Sequence, residues 1–245
     1  MRSVVLIPAR YGSTRYPGKP LVELLGKPLI IWVCEVASLA VGRDDVYVAT
    51  DDQRIADVVT EHGFNYVMTE DALTGTDRLY QAAVQLEADI YINVQGDEPL
   101  VDPADILKVI DAKKAMPNAV INGYAPLADD EDPHNVNIPK VALSDTGRLI
   151  YASRAPVPAF KDAKYQPATY YKQVCIYAFN REELIAFGSR GQKSQIEQAE
   201  DIEILRFLDF NHPIQMVPTK PGSYAVDHPD DVALVESKLR QRLAS

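Results

Sequence analysis

Three observations predict an α/β fold with a mainly parallel central sheet flanked by helices. Apolar runs of strand length alternate with helical periodicity through the first half of the chain. Polar turns carrying Gly or Pro follow these strands, and 47% of the 245 residues are apolar, enough to fill one large core. Taken in order, Val4 to Pro8 reads as a strand and Leu29 to Val41 as a helix. Val46 to Thr50 is a second strand, and Ile55 to His62 a second helix closed by Gly63. Tyr66 to Met68 precedes a helix from Thr76 to Leu86, and Ile90 to Val94 precedes one from Pro103 to Met116. Helices that connect successive strands imply parallel pairing. Ligands of such sheets sit beyond the carboxyl ends of the strands, so the turns after Ile7, Thr50, Met68 and Val94 are expected to share one rim.

The second half is less regular. Extended segments are predicted at Lys140 to Ser144 and Gln173 to Phe179, a helix from about Glu197 to Phe210, a strand near Ile214 to Val217, and a last helix from Pro229 onward. The acidic stretch from Asp129 to Asn135 and the Pro-containing stretch from Phe160 to Ala168 read as loops. With no repeat or linker to divide it, residues 1–245 are expected to form one domain with two halves, about 1–125 and about 126–245.

Charge narrows the function. Thirty-five acidic against 25 basic residues give a net charge of -10, which argues against a nucleic-acid or anionic-membrane partner. No apolar run reaches the roughly 18 residues of a membrane span, and no signal-peptide pattern follows Met1, so a cytoplasmic protein without membrane insertion is expected. Cys34 and Cys175 are far apart, have no metal-ligand spacing, and read as packed thiols.

Against that acidic background the turn after the first strand concentrates three cations. Arg10 and Arg15 can fork onto phosphate oxygens, Lys19 adds a point charge, and Gly12 and Gly18 permit close approach of backbone to an anion. The turn matches neither common phosphate loop: Gly12 is one residue too far from Gly18 and Lys19, Pro20 replaces the Ser or Thr, and no G-x-G-x-x-G follows the strand. A solvated basic loop is the structural alternative. Gln95, Gly96, Asp97 and Glu98 follow the fourth strand on the same rim. Carboxylates beside bound phosphates suit Mg²⁺, which takes one or two of them together with phosphate oxygens. Capping of the helix at Pro103 is the other reading of these acids, and Asp102 is better placed for it.

Asp227 lies between a strand end and a helix start, as either an N-cap or a second metal ligand that would have to reach Asp97 from the far half. Thr74 and Gly75 open a helix and can offer hydrogen bonds to a base or ribose, with Thr76 as N-cap the structural alternative. Arg154 follows an apolar strand and suits a carboxylate, although a surface ion pair is the default. Lys172 to Tyr177 and Ser194 to Glu203 could donate polar groups to a sugar; in the second, Glu197, Glu200 and Glu203 recur at three-residue spacing, which predicts that most of them form one solvated helix face. The four histidines are scattered, giving no support to a Ser-His-Asp or zinc site.

The stretches Ile7 to Leu21, Thr50 to Asp52, Thr74 to Arg78, Asn93 to Pro99, Ser153-Arg154 and Val226 to Asp231 together resemble the 3-deoxy-manno-octulosonate (Kdo) cytidylyltransferases, nearly end to end. The resemblance implies a nucleotide-diphospho-sugar transferase fold, Rossmann-like, acting as a homodimer. It implies CTP and a keto-sugar acid as substrates, a CMP-sugar and diphosphate as products, and a place in lipopolysaccharide synthesis. Pro8, Ala9, Arg10, Arg15, Lys19, Thr74, Gly75 and Arg78 would bind the nucleotide. Asp97 and Asp227 would bind Mg²⁺, with Arg10, Lys19 and Asp97 catalytic. Gln95, Arg154, Gln173, Tyr177 and Glu200 would face the sugar acid, so the first half is nucleotide-binding and the second sugar-binding and dimerising.

Departures fall on the sugar side. Where the family usually has His and Gly, this chain has Gln173 and Cys175, and the usual Asn-Pro-Asn-x-Val-Lys-Val becomes Asp132 to Val141. A Kdo-like acid with a changed substituent, such as 8-amino-Kdo, is therefore expected beside Kdo itself. A cytidylyltransferase for another ulosonic acid and a CTP-binding module without catalysis are the rival readings. The second is disfavoured by two acids from distant segments, and a nicotinamide oxidoreductase lacks its glycine fingerprint.

Overall fold

The computed structural model describes residues 1–12, 16–221 and 224–244. β1 (Ser3–Ala9) is followed by a two-residue hairpin, β2 (Glu23–Leu24) with β3 (Lys27–Pro28), and by α1 (Leu29–Val41). β4 (Val46–Thr50), α2 (Gln53–Glu61), β5 (Asn65–Met68), α3 (Gly75–Ala83), β6 (Ile90–Val94) and α4 (Pro103–Ala115) continue the alternation. The bounds of α1, β4 and β6 coincide with the sequence reading.

The second half adds β7 (Val120–Pro126), β8 (Lys140–Leu143), β9 (Leu149–Ser153), β10 (Tyr171–Phe179), α5 (Arg181–Gly188), α6 (Gln195–Glu200), α7 (Leu205–Asp209), β11 (Ile214–Pro218) and α8 (Asp231–Leu243). Three elements depart from expectation. The helix foreseen from Glu197 to Phe210 is two short helices, because Asp201 sits in the left-handed region (φ 49°) and ends the first. β7 carries Asn122 and Gly123, which mask its apolar pattern. α5 was also missed, although Asn180 and Glu183 form a capping box that marks its start.

Among the described residues the main sheet runs β11-β7-β10-β6-β1-β4-β5, with β8 and β9 attached at β10. Pairing is parallel at β1/β4, β1/β6, β4/β5 and β7/β11, and antiparallel where β10 lies between β6 and β7. The sheet therefore runs through both halves of the chain. One core lies between the sheet and α1, α2 and α4, including Ile31, Ile55 and Ile106; the opposite core packs Leu79, Leu184 and Leu205 of α3, α5 and α7. A third cluster joins α8 to the hairpin through Leu24, Trp32, Val226 and Leu239.

Candidate active site

The carboxyl ends of β1, β5 and β6 open onto a cavity of about 340 Å³. Its wall includes Pro8, Ala9, Arg10 and Lys19 after β1, Ala72 to Gly75 with Arg78 after β5, and Gln95 to Asp97 after β6. The turn after β4 joins them indirectly, since buried Arg78 donates to Asp51 Oδ2 at 2.6 Å. The shared rim predicted from strand order is present. Arg15 lies outside the described residues.

Two glycines shape this rim. Gly18 has φ +71°, a conformation costly for other residues, and it turns the chain so that Lys19 faces back to the sheet. At Gly96 a Cβ would stand 2.8 Å from the Pro8 carbonyl oxygen, so only glycine lets the β6 turn press against the end of β1.

Lys19 Nζ lies 2.6 Å from Asp97 Oδ2 and 3.5 Å from Asp227 Oδ1. Two acids 130 positions apart in sequence thus converge on one cation. Their meeting has a structural cause: Val226 is fully buried in the α8 cluster, and its N–H donates to the Asp97 carbonyl oxygen at 2.9 Å. Neither acid is a helix cap. Asp102 caps α4 by accepting from Ala104 N, as expected, and Asp231 accepts from the backbone of Asp227 and His228. Among the described residues no group of three or more His, Cys, Asp or Glu could hold a metal. A pair of convergent carboxylates at the strand-end cavity nevertheless fits Mg²⁺, which completes its shell with phosphate and water oxygens.

At the other end of the cavity, Thr74 rather than Thr76 caps α3. Its hydroxyl oxygen accepts from Asp77 N and its hydroxyl donates to Asp77 Oδ2. The N–H groups of Gly75 and Thr76 and the Thr76 hydroxyl donate to Glu203, at 3.0, 2.8 and 2.6 Å. Desolvation raises the Glu203 carboxyl above its ordinary range, and the Thr76 and Gly75 bonds oppose that rise. Glu203, Lys193 and Asp201 also line the cavity, the last two as an ion pair at 2.7 Å. Asp201 and Glu203 belong to the Ser194 to Glu203 stretch read as possible polar donors to a sugar, whereas Lys193 carries no sequence reading. Glu203 stands in the turn between α6 and α7, outside both helices, so helical spacing gives no signal for it.

The expected solvated glutamate face is absent. Glu197 is fully buried against Arg206, Glu203 turns into the cavity, and Glu200 accepts from Ser153 Oγ and Arg154 N, both at 2.8 Å. The break at Asp201 redirects the three acids.

The sugar-side residues other than Gln95 lie outside the lining of this cavity. Arg154 makes the expected ion pair, 4.0 Å from Asp201 Oδ2, and its guanidinium also donates to the carbonyls of Val136, Glu200 and Asp201. Gln173 is buried and donates to Asn122 Oδ1 at 3.0 Å. Tyr177 is buried and stacked on Phe179, and burial pushes its hydroxyl pKa well up. Asn122, Asn93, Gln173 and Tyr177 form a polar belt where β7, β10 and β6 meet, and β10 is irregular between Val174 and Tyr177.

A cytidylyltransferase family profile matches residues 4–214. An 8-amino-3,8-dideoxy-manno-octulosonate cytidylyltransferase from Shewanella amazonensis is 39% identical, covering 98% of this chain and 99% of its own. A 3-deoxy-manno-octulosonate cytidylyltransferase from Syntrophotalea carbinolica is 38% identical with the same coverage. A solved CMP:2-keto-3-deoxy-manno-octonic acid synthetase complexed with CTP superimposes with a TM-score of 0.91 at 36% identity, over 99% of this chain and 100% of that one. A 4-diphosphocytidyl-2C-methyl-D-erythritol synthase from Anaerococcus prevotii, 14% identical with a TM-score of 0.66 and covering 98% and 96% of the two chains, shares the fold. With its full-length relatives and its strand-end cavity rimmed by cations and paired acids, the chain belongs to the cytidylyltransferase family that includes the Kdo and 8-amino-Kdo enzymes.

Proposed function

We propose that the protein transfers a cytidylyl group from CTP to a 3-deoxy-octulosonic sugar acid, releasing diphosphate, as an early step of lipopolysaccharide synthesis. The observation that carries this reading is the convergence of Asp97 and Asp227 on Lys19 at the mouth of the strand-end cavity. The CTP complex of the 36% identical synthetase supports the choice of nucleotide.

In this reading Arg10, Lys19 and Arg15 hold the triphosphate, Pro8 and Ala9 seat it at the strand end, and Thr74, Gly75 and Arg78 form the base end. Asp97 and Asp227 would hold Mg²⁺, which supplies charge neutralisation on the phosphates and the leaving diphosphate. Lys19 adds positive charge where negative charge builds up, and the anomeric hydroxyl oxygen of the sugar attacks the α-phosphorus in line. Gln95 sits between the phosphate end and β10 and would orient that hydroxyl. Arg154, Gln173, Tyr177 and Glu200 would build the acceptor side from the second half. No covalent enzyme intermediate is required.

Gln173 and Cys175 favour an acceptor with a changed substituent, and the 8-amino acid named for the Shewanella relative is the acceptor proposed. Diphosphate release from each of the four NTPs with a panel of ulosonic acids tests both parts. CTP alone should support turnover, and kcat/KM should favour the 8-amino acid over Kdo; a clear preference for Kdo overturns the acceptor assignment and leaves the reaction class standing. The protein is also proposed to work as a cytoplasmic homodimer. The arm around β8 and β9 exposes Val136, Ile150 and Tyr165, and no helix among the described residues is long and apolar enough to cross a membrane. Light scattering should give twice the 27.2 kDa chain mass.

A further inference from the structure

Arg206 is a large, fully buried charged side chain that is not itself part of the cavity lining. Its planar fork is used on both edges. Nε and one terminal nitrogen donate to Glu197, both at 2.6 Å, and the two terminal nitrogens donate to Asp77 at 2.7 and 3.1 Å. A further bond reaches the Phe187 carbonyl oxygen at 3.2 Å, and the guanidinium lies 3.7 Å above the Phe187 ring. Burial by itself would lower its pKa, but the two carboxylates hold it charged and above its ordinary value.

Burying two carboxylates around one guanidinium is a poor device for stability, since well-packed apolar residues of similar volume often do as well or better. The chain of bonds ends elsewhere. Asp77 Oδ2, held by Arg206, accepts the Thr74 hydroxyl at 2.8 Å, and Thr74 is in the cavity wall. Three residues before Arg206, Glu203 takes the N–H groups of Gly75 and Thr76. One short segment thus grips the first turn of α3 at successive residues, by two independent routes.

From this we infer that Arg206 is a positioning residue for the base end of the nucleotide site, acting through Asp77 on Thr74. The inference rests on the reading of Thr74 and Gly75 as the base end. Lysine at this position keeps the charge but cannot fork onto two carboxylates at once.

The test compares Arg206→Lys with Asp77→Asn, which keeps the Thr74 backbone cap but weakens the link to Arg206. Glu183→Gln is the control. It weakens the buried Lys113–Glu183 pair, 2.6 Å long and outside the cavity lining, and so shows what loss of buried ion pairing does by itself. Arg206→Lys should raise the KM for CTP about tenfold, the scale of a misplaced hydrogen bond, and leave kcat and the sugar-acid KM within about twofold. Inhibition by inorganic tripolyphosphate, which probes the Arg10 and Lys19 end only, should not change. The Glu183→Gln control should move none of these. An unchanged CTP KM in Arg206→Lys, or in Asp77→Asn if the first variant does not fold, overturns the inference. A parallel rise in the tripolyphosphate inhibition constant, or the same shifts in the control, also overturns it by showing general loosening. If the native protein releases no diphosphate from CTP, the proposed function falls and the inference with it; native turnover with an insensitive KM removes the inference alone.

Discussion

The proposed nucleotide end and the proposed acceptor end of this molecule are built differently. At the nucleotide end, Arg10, Lys19, Thr74, Gly75, Gln95 and Asp97 all stand on turns that follow strands, and one cavity collects them. At the acceptor end, Arg154, Gln173, Tyr177 and Glu200 are bonded to one another's segments or packed in the core. Parallel strands deliver their carboxyl ends to a common edge whatever their sequences, so a polar turn there is a site residue by default. Antiparallel β10 enters from the opposite direction and depends on β7, β8 and the broken helix at Asp201 for its surroundings. The first arrangement tolerates variation elsewhere, whereas the second makes the acceptor residues depend on the packing of the whole second half.

The comparison breaks most visibly at the paired acids Asp97 and Asp227. Asp97→Asn should leave CTP binding measurable by calorimetry and cut diphosphate release by about a thousandfold or more, the scale of losing a charged group that acts in the transition state. Turnover near the native rate would remove the metal role and leave the cavity as a binding site. Lys19→Met should cost about a hundredfold in kcat/KM, because the two carboxylates lose the cation between them and the phosphates lose a counter-charge. If only KM rises, Lys19 serves binding alone.

On the acceptor end the expected effects are smaller. Gln173→His, which restores the residue usual in the family, should shift the kcat/KM ratio between 8-amino-Kdo and Kdo by about tenfold towards Kdo without moving the KM for CTP. A constant ratio would assign Gln173 to the Asn122 contact and nothing more. The smallest effect concerns the thiols. Burial pushes both Cys34 and Cys175 well above the ordinary thiol range, so little thiolate forms near pH 8 and the folded protein should react with a disulfide reagent at least about tenfold more slowly than a free thiol. The rate should climb as pH rises, and two thiols should appear on denaturation; fast native labelling of Cys175 would show that the β10 irregularity opens to solvent.

Much of the nucleotide end was legible because each of its signals is local. A strand-length apolar run, a Gly-bounded turn and a helix start are readable within a few residues, which is why α1, β4 and β6 matched to the residue. Asp97 was recognisable as more than a cap because Asp102 already stood closer to α4. The glutamate face was not legible because its decisive contacts are distant. Glu197, Glu200 and Glu203 look alike in sequence, yet one is buried with Arg206, one holds Arg154 and one faces the cavity. The left-handed turn at Asp201 decides between them, and an aspartate gives weak notice of such a turn.

By itself, then, the sequence determined the alternation of strands and helices, the cationic turn after β1, the acid after β6 and the family they identify, since backbone periodicity and turn chemistry are properties of neighbouring residues. Only the tertiary structure decided that Asp227 meets Asp97 over Lys19, and that Glu203 rather than Glu200 reaches the nucleotide cavity. It also decided that Arg206 ties the first turn of α3 to α6. Each depends on a remote partner: apolar burial anchors Val226, whereas the Arg206 guanidinium, whose desolvation is a cost, is held by the carboxylates of Glu197 and Asp77, and no local pattern encodes either.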